Sequence, residues 1–135
     1  MGKRGPGAKP TKKRDKNPVD NVNPVQSWDN PELSRAERVI KFCETLTVTS
    51  GLHAGEQFYL REWQKELVRS WYATNEDGKR LVRHGLLTCG RKNGKTGLIC
   101  ALALCHLLGP EAEKRGMIVA AASDRDQSGI LFDEL

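Results

Sequence analysis

The stretch Leu86-Leu87-Thr88-Cys89-Gly90-Arg91-Lys92-Asn93-Gly94-Lys95-Thr96-Gly97-Leu98-Ile99-Cys100 decides how the chain is read. Its last part, Gly94-Lys95-Thr96, is the second half of the phosphate-binding pattern G-x-x-x-x-G-K-[ST]. That pattern works because backbone N–H groups converge on phosphate oxygens, a Lys reaches the β and γ phosphates, and a hydroxyl holds Mg²⁺. The first Gly of the strict pattern should stand at 89, where this chain has Cys89, with Gly90 one place later. The flanks supply what the pattern lacks. An apolar strand is expected near His84 to Thr88, and GLICALALCHLL reads as a strongly apolar helix ending at Gly109-Pro110. A chance Gly-Lys-Thr in a basic turn would rarely be followed and preceded in this way.

Working outward, GMIVAAAS (116–123) reads as a buried strand, and SDRDQSGILFDEL (123–135) as a last helix capped by Ser123 or Asp124. Strand, Gly-rich turn, helix, strand, helix is a βαβ unit, so the expected fold class is α/β, a phosphate-loop NTPase-like parallel sheet flanked by helices. Upstream, Ser34-x-x-Glu37 is a capping box that opens a helix over SRAERVIKFCETL, with Val39, Ile40, Cys43 and Leu46 on one face. A second helix over LREWQKELVRSWYAT places Leu60, Trp63, Leu67 and Trp71 at helical spacing, a stripe that reads as core. Residues 47–57 read as a loop, and Asn75-Glu76-Asp77-Gly78 as a turn.

The chain has 135 residues, enough for one ordinary domain with a core, and a net charge of +5. All of that charge sits in residues 1–20, where seven Lys and Arg face Asp15 and Asp20; the remainder balances. The sequence pI of about 9.2 therefore describes a tail rather than a basic domain. Residues 1–30, with four of the six prolines, are expected to be a disordered basic arm, solvated or in contact with a polyanion, and residues 31–135 the folded part. No run approaches the roughly 18 apolar residues of a membrane span, and no apolar segment follows the basic start as in a secretory signal. Cys43, Cys89, Cys100 and Cys105 show no C-x-x-C spacing, and His53, His84 and His106 share no metal spacing. Four reduced thiols in apolar stretches fit a cytoplasmic protein.

Three stretches in order resemble the large terminase subunits of tailed bacteriophages. The loop Gly90-Arg91-Lys92-Asn93-Gly94-Lys95-Thr96 is similar to that family's "RKNGK[ST]" form of the Walker A motif. Phe58-Tyr59-Leu60-Arg61-Glu62-Trp63-Gln64 looks like its upstream "F-x-L-x-x-W-Q" element, and Ala120 to Gln127 like its "A-A-x-x-R-x-Q-A" segment, with Ser128 in place of the last Ala. Together they span roughly residues 37–135. The resemblance implies ATP and Mg²⁺ as ligands: Lys95 on the β and γ phosphates, Thr96 on Mg²⁺, and Arg91 close enough to contact a γ-phosphate. It implies that Gly90, Lys92, Asn93 and Gly94 complete the cradle. Gln64 would bond the adenine edge with Trp63 or Tyr59 packed nearby, although a Gln on that helix is by itself ordinary surface. Gln127 would position a neighbouring strand or sense the nucleotide.

The same resemblance implies double-stranded DNA, the portal and procapsid and a small terminase subunit as partners, in the cytoplasm of a bacterial host, with homo-oligomers only in the full-length protein. A Walker B strand and the family's nuclease domain are not found. Gly129-Ile130-Leu131-Phe132-Asp133-Glu134 has Walker B letters but is read as helix, because it follows Lys95 too closely to cross back to the sheet. The expectation is therefore a fragment holding the front of an ATPase domain, which binds ATP with little turnover. The rivals are a small nucleotide or metabolite kinase, which needs a downstream arginine lid, and a non-enzymatic DNA-binding module led by the arm.

Overall fold

The structure, a computed structural model, describes residues 28–122 and Gly129. Of the expected arm over residues 1–30, residues 1–27 lie outside the described residues and 28–30 are described. So do the cap at Ser123 or Asp124, Gln127 and the Asp133-Glu134 pair; within the expected last helix only Gly129 is described, and it is helical.

Three helices carry the fold: α1 (Arg35–Cys43), α2 (Glu62–Trp71) and α3 (Lys95–Leu108). Helix α1 lies between the other two and packs on both. Ser34 starts it as expected, its Oγ accepting from the Glu37 N–H at 3.2 Å. The other half of the capping box does not close onto the backbone. Glu37 turns its carboxylate to Arg69 of α2, 2.8 Å away, and so ties the two helices together. Apolar burial does most of the holding: Val39 and Cys43 of α1, Val68 of α2, and Leu98 and Cys105 of α3 are completely enclosed.

Order begins upstream of Ser34. The Trp28 ring meets Phe42 edge to face, with centroids 5.5 Å apart, and its carbonyl accepts from Arg38 Nε at 3.2 Å. A run otherwise rich in Pro, Asn and Lys hides this anchor because a single aromatic residue has no periodicity to report.

Helix α2 corrects the expected stripe. Its buried residues are Gln64 and Val68, continued by Leu60 and Tyr72 on either side, an i, i+4 progression. Leu67 and Trp71 only flank the core, and Trp63 is 36% exposed. Trp71 spends its ring on the chain opposite: a Cβ on Gly85 would lie 2.7 Å from it, so only glycine fits there.

Helix α3 is apolar on nearly every side. Leu98, Ala101, Leu102 and Cys105 join the common core, while Ile99 and Leu107 are partly open. It stops at Gly109, where a Cβ would be 2.9 Å from both the Phe42 ring and the Cys105 carbonyl. Among the described residues no strand ladder forms. There are only two isolated antiparallel bridges, Thr47 with Gln57 and Thr74 with Arg80, the second spanning the expected turn at Asn75–Gly78. The expected parallel sheet is thus absent here, because a strand exists only through hydrogen bonds to a neighbour. Its period-2 burial survives nonetheless. Leu87 and Cys89 are half-buried between exposed Leu86 and Thr88, and Ile118 and Ala120 are half-buried beside exposed Met117 and Val119.

Candidate functional site

Residues 90–97 enclose a cavity of about 380 Å³ at the N-terminus of α3. The loop reaches that helix through two left-handed residues, Lys92 (φ 64°) and Gly94 (φ 74°), with Asn93 between them. Alternating hand in successive residues turns their N–H groups to one side, the concave arrangement that binds anions. Asn93 Nδ2 donates to the Gly90 carbonyl at 3.3 Å and closes the turn. Gly94 is the N-cap of α3, and the first intrahelical bond runs from Leu98 N–H to the Gly94 carbonyl. The N–H groups of the helix's first turn consequently have no intrahelical acceptor, and they lie at the positive end of its dipole.

Position 89 can depart from the strict pattern because the left-handed residues are 92 and 94, and Cys89 is not among them. A Cβ is tolerated there. Lys95 folds back over the loop, and its Nζ donates to the Cys89 carbonyl at 2.6 Å. Arg91, Lys92 and Asn93 are exposed, as is Thr96. Of the described side chains lining the cavity, three are cationic and none is a carboxylate. Among the described residues no cluster of His, Cys, Asp and Glu could hold a metal ion. The Thr96 hydroxyl nevertheless fits Mg²⁺, which favours one or two protein oxygens completed by phosphate oxygens and water.

The structure brings Gln64 to this loop, though not as ordinary surface. Gln64 is 3% exposed. Its Oε1 accepts from the Arg61 N–H at 2.8 Å, capping α2, and its Nε2 donates to the Gly94 carbonyl at 3.5 Å. Trp63 and Tyr59, expected beside a base, line neither the loop cavity nor the pocket next to it. Tyr59 is 66% exposed and donates its hydroxyl to Gln57 Oε1. The aromatic residue at the loop is Phe58, which sequence reasoning left unassigned. A Cβ on Gly97 would be 3.3 Å from its ring. The available signal was Gly97 itself: a glycine one turn into an apolar helix is destabilising by about 1 kcal/mol against Ala and marks a close approach.

The remaining polar groups serve the fold. Glu111, nearly enclosed, pairs with Arg35 and lies 3.6 Å from Arg80. Tyr72 and His106 share a 2.9 Å hydrogen bond, and burial lowers the His106 pKa. His106 is thus a half-buried residue packed between α3 and Tyr72. Burial also pushes the Cys43 and Cys105 thiols up to about 12, which leaves them protonated and unreactive.

Three comparisons with known proteins bear on this arrangement. The family model described as "Terminase large subunit, ATPase domain" matches residues 62–135. The large terminase subunit of Enterobacteria phage HK97 is 38% identical over 102 residues, covering 75% of this chain and 19% of that protein. The crystal structure of the HK97 bacteriophage large terminase superposes with a TM-score of 0.60 at 36% identity, over 75% of this chain and 20% of the other. The chain thus spans about one fifth of the length of these relatives.

Proposed function

The chain belongs to the terminase large-subunit ATPase family, and we propose that its loop 90–96 binds the triphosphate of Mg-ATP. The observation that carries this reading is the concave turn at Lys92 and Gly94, which opens onto the first-turn N–H groups of α3 with the Lys95 ammonium held inside. Backbone N–H groups take up phosphate oxygens, and Lys95 stabilises negative charge on the β and γ phosphates, the principal demand of phosphoryl transfer. Mg²⁺, ligated by Thr96, would bridge and neutralise those oxygens. Arg91 and Lys92 add positive potential at the mouth, while Gly90 and Asn93 keep the turn closed. Gln64 acts through Gly94 by holding the loop. Trp63 has no part in this proposal.

The alternating burial at 86–89 and 117–120 supports a parallel sheet in this family's setting, with Leu86, Met117 and Val119 on its second face. In the larger family frame, the activity served is ATP-driven movement of double-stranded DNA into a procapsid, with portal and small terminase subunit as partners. Hydrolysis by the 135-residue chain alone should be close to background. Among the described residues no carboxylate lines the loop cavity to orient water, and positioning supplies most of the rate in this chemistry. Calorimetry with Mg-ATP tests the reading. Lys95→Ala should abolish measurable binding while leaving the melting temperature unchanged, and an unaltered Kd in that variant would refute it.

A further inference from the structure

A cavity remote from the loop lies at the other end of α3. It has a volume of about 150 Å³ and is bounded by Trp71 and Tyr72 at the end of α2, His106 in the last turn of α3, and Arg80, Arg83 and Gly85 of the segment between them. From Lys95 to His106 the helix rises about 16 Å at 1.5 Å per residue. The cavity shares no lining residue with the loop cavity. It is a separate place in the fold.

Its polar side chains are donors, and among the described residues no carboxylate lines it. The enclosed carboxylate of Glu111 is committed to Arg35, which donates to both of its oxygens. Arg80 stands 3.6 Å from that carboxylate, beyond hydrogen-bond distance, so its donors are unspent. Arg83 makes no ion pair or hydrogen bond among the described residues. The charges acting on His106 are Glu111 and Glu113 against Arg35 and Arg80, two of each sign. The Arg83 charge is left without a counterpart.

The Tyr72–His106 pair adds a further donor. Burial raises the Tyr72 pKa and lowers that of His106, so both side chains are neutral at neutral pH. A neutral imidazole brings one N–H and a phenol one O–H. Their mutual bond of 2.9 Å uses one of the two, and the other stays available in either tautomer.

Two guanidiniums and a neutral donor call for a group with at least three acceptor oxygens and more than one negative charge. A carboxylate has two oxygens and one charge, which a single guanidinium saturates. A phosphate monoester has three terminal oxygens and a charge of about −1.5 to −2. We propose that this cavity binds the phosphate group of a phosphomonoester or of inorganic phosphate, held by Arg80, Arg83 and the Tyr72–His106 pair, with the Trp71 ring as its apolar wall. Arg83 is exposed and the Arg80 side chain is 40% exposed, so the phosphate enters from solvent and its carrier, where there is one, stays outside. Gly85 is glycine because only its bare backbone admits the Trp71 ring that makes this wall. The site stands apart from the reading of loop 90–96 and does not depend on it.

NMR titration of the whole chain with inorganic phosphate, against chloride at equal ionic strength, tests the assignment through the Trp71 indole N–H, identified by its loss in Trp71→Phe. That resonance should move saturably with phosphate, with a Kd of about 1 mM, and should not move with chloride. Arg83→Gln should raise the Kd by about fivefold or more while leaving the melting temperature unchanged, since Arg83 holds nothing in the fold. Lys95→Ala should leave the Kd within about twofold of wild type, because the loop lies at the other end of the helix. Dimethyl phosphate, a monoanion with two terminal oxygens, should bind at least about fivefold more weakly than phosphate. Phenyl phosphate separates the two sources: tighter binding than inorganic phosphate assigns a carried monoester, and equal or weaker binding assigns the free ion. The proposal is overturned by a resonance that does not saturate or that responds equally to chloride. A Kd unmoved in Arg83→Gln, a response lost in Lys95→Ala, or equal affinity for dimethyl phosphate would overturn it as well.

Discussion

Gln64 is the residue through which the N-terminus of α2 reaches the loop, and replacing it with Ala separates two effects. Truncation leaves the partly buried Arg61 N–H without its acceptor, which costs about 1–3 kcal/mol. It also opens a void in a site only 3% exposed, which adds to the loss. A total of about 2 kcal/mol corresponds to a fall in melting temperature of roughly 8–16 °C for a domain of this size. The contact with the Gly94 carbonyl is longer, at 3.5 Å, and so is the weaker of the two. Its loss should raise the Kd for Mg-tripolyphosphate by only about threefold to tenfold, well under 1.4 kcal/mol at the lower end. Circular dichroism melting and calorimetry on one preparation read both numbers. An unchanged melting temperature would refute the capping role. A large thermal loss with unchanged phosphate affinity would refute the claim that Gln64 positions the loop.

Two further outcomes follow from contacts remote from the loop. Trp28→Ala should lower stability by about 2 kcal/mol through lost burial and the edge-to-face contact with Phe42, whereas removing residues 1–27 should shift the melting temperature by no more than about a degree; equal effects of the two changes would show that Trp28 is not the anchor. His106 has its pKa lowered by burial, so the unfolded chain binds its proton more readily, and stability should be full above the ordinary imidazole value of 6.5 and decline as pH falls below it toward the depressed folded value. A thermal melt series from pH 7.5 to pH 5.5 should show that decline in wild type and a smaller one in His106→Gln; identical slopes would remove His106 as its source.

Much of this was legible in the sequence wherever one residue type has one physical use. Ser34 as a cap, Gly109 as a stop, the apolar run of α3 and the turn at Asn75–Gly78 all needed only local rules. The α2 face was misread because apolarity was followed at Leu60, Trp63, Leu67 and Trp71, whereas burial runs through Gln64. A glutamine enters a core only when its amide is satisfied at both ends, and the Gly94 carbonyl that helps satisfy it lies thirty residues away. Phe58 and Tyr59 present the same difficulty. Adjacent aromatic residues face opposite sides of an extended segment, and which side meets α3 is set by the bridge between Thr47 and Gln57. The expected strands at 84–88 and 116–123 were legible as patterns of alternation but not as a ladder, since pairing belongs to two segments at once.

The bond from Lys95 to the Cys89 carbonyl bears on the entropy of binding. A solvated lysine surrenders about 2 kcal/mol of rotamer freedom when it is fixed. Here that surrender accompanies folding, because the ammonium already rests 2.6 Å from a main-chain oxygen. An ammonium has three donors, so two can still turn toward phosphate while the third keeps its place. An arriving nucleotide then meets a cation already immobilised where it is needed. Since the anchoring atom is backbone, the arrangement is indifferent to which side chain stands at position 89.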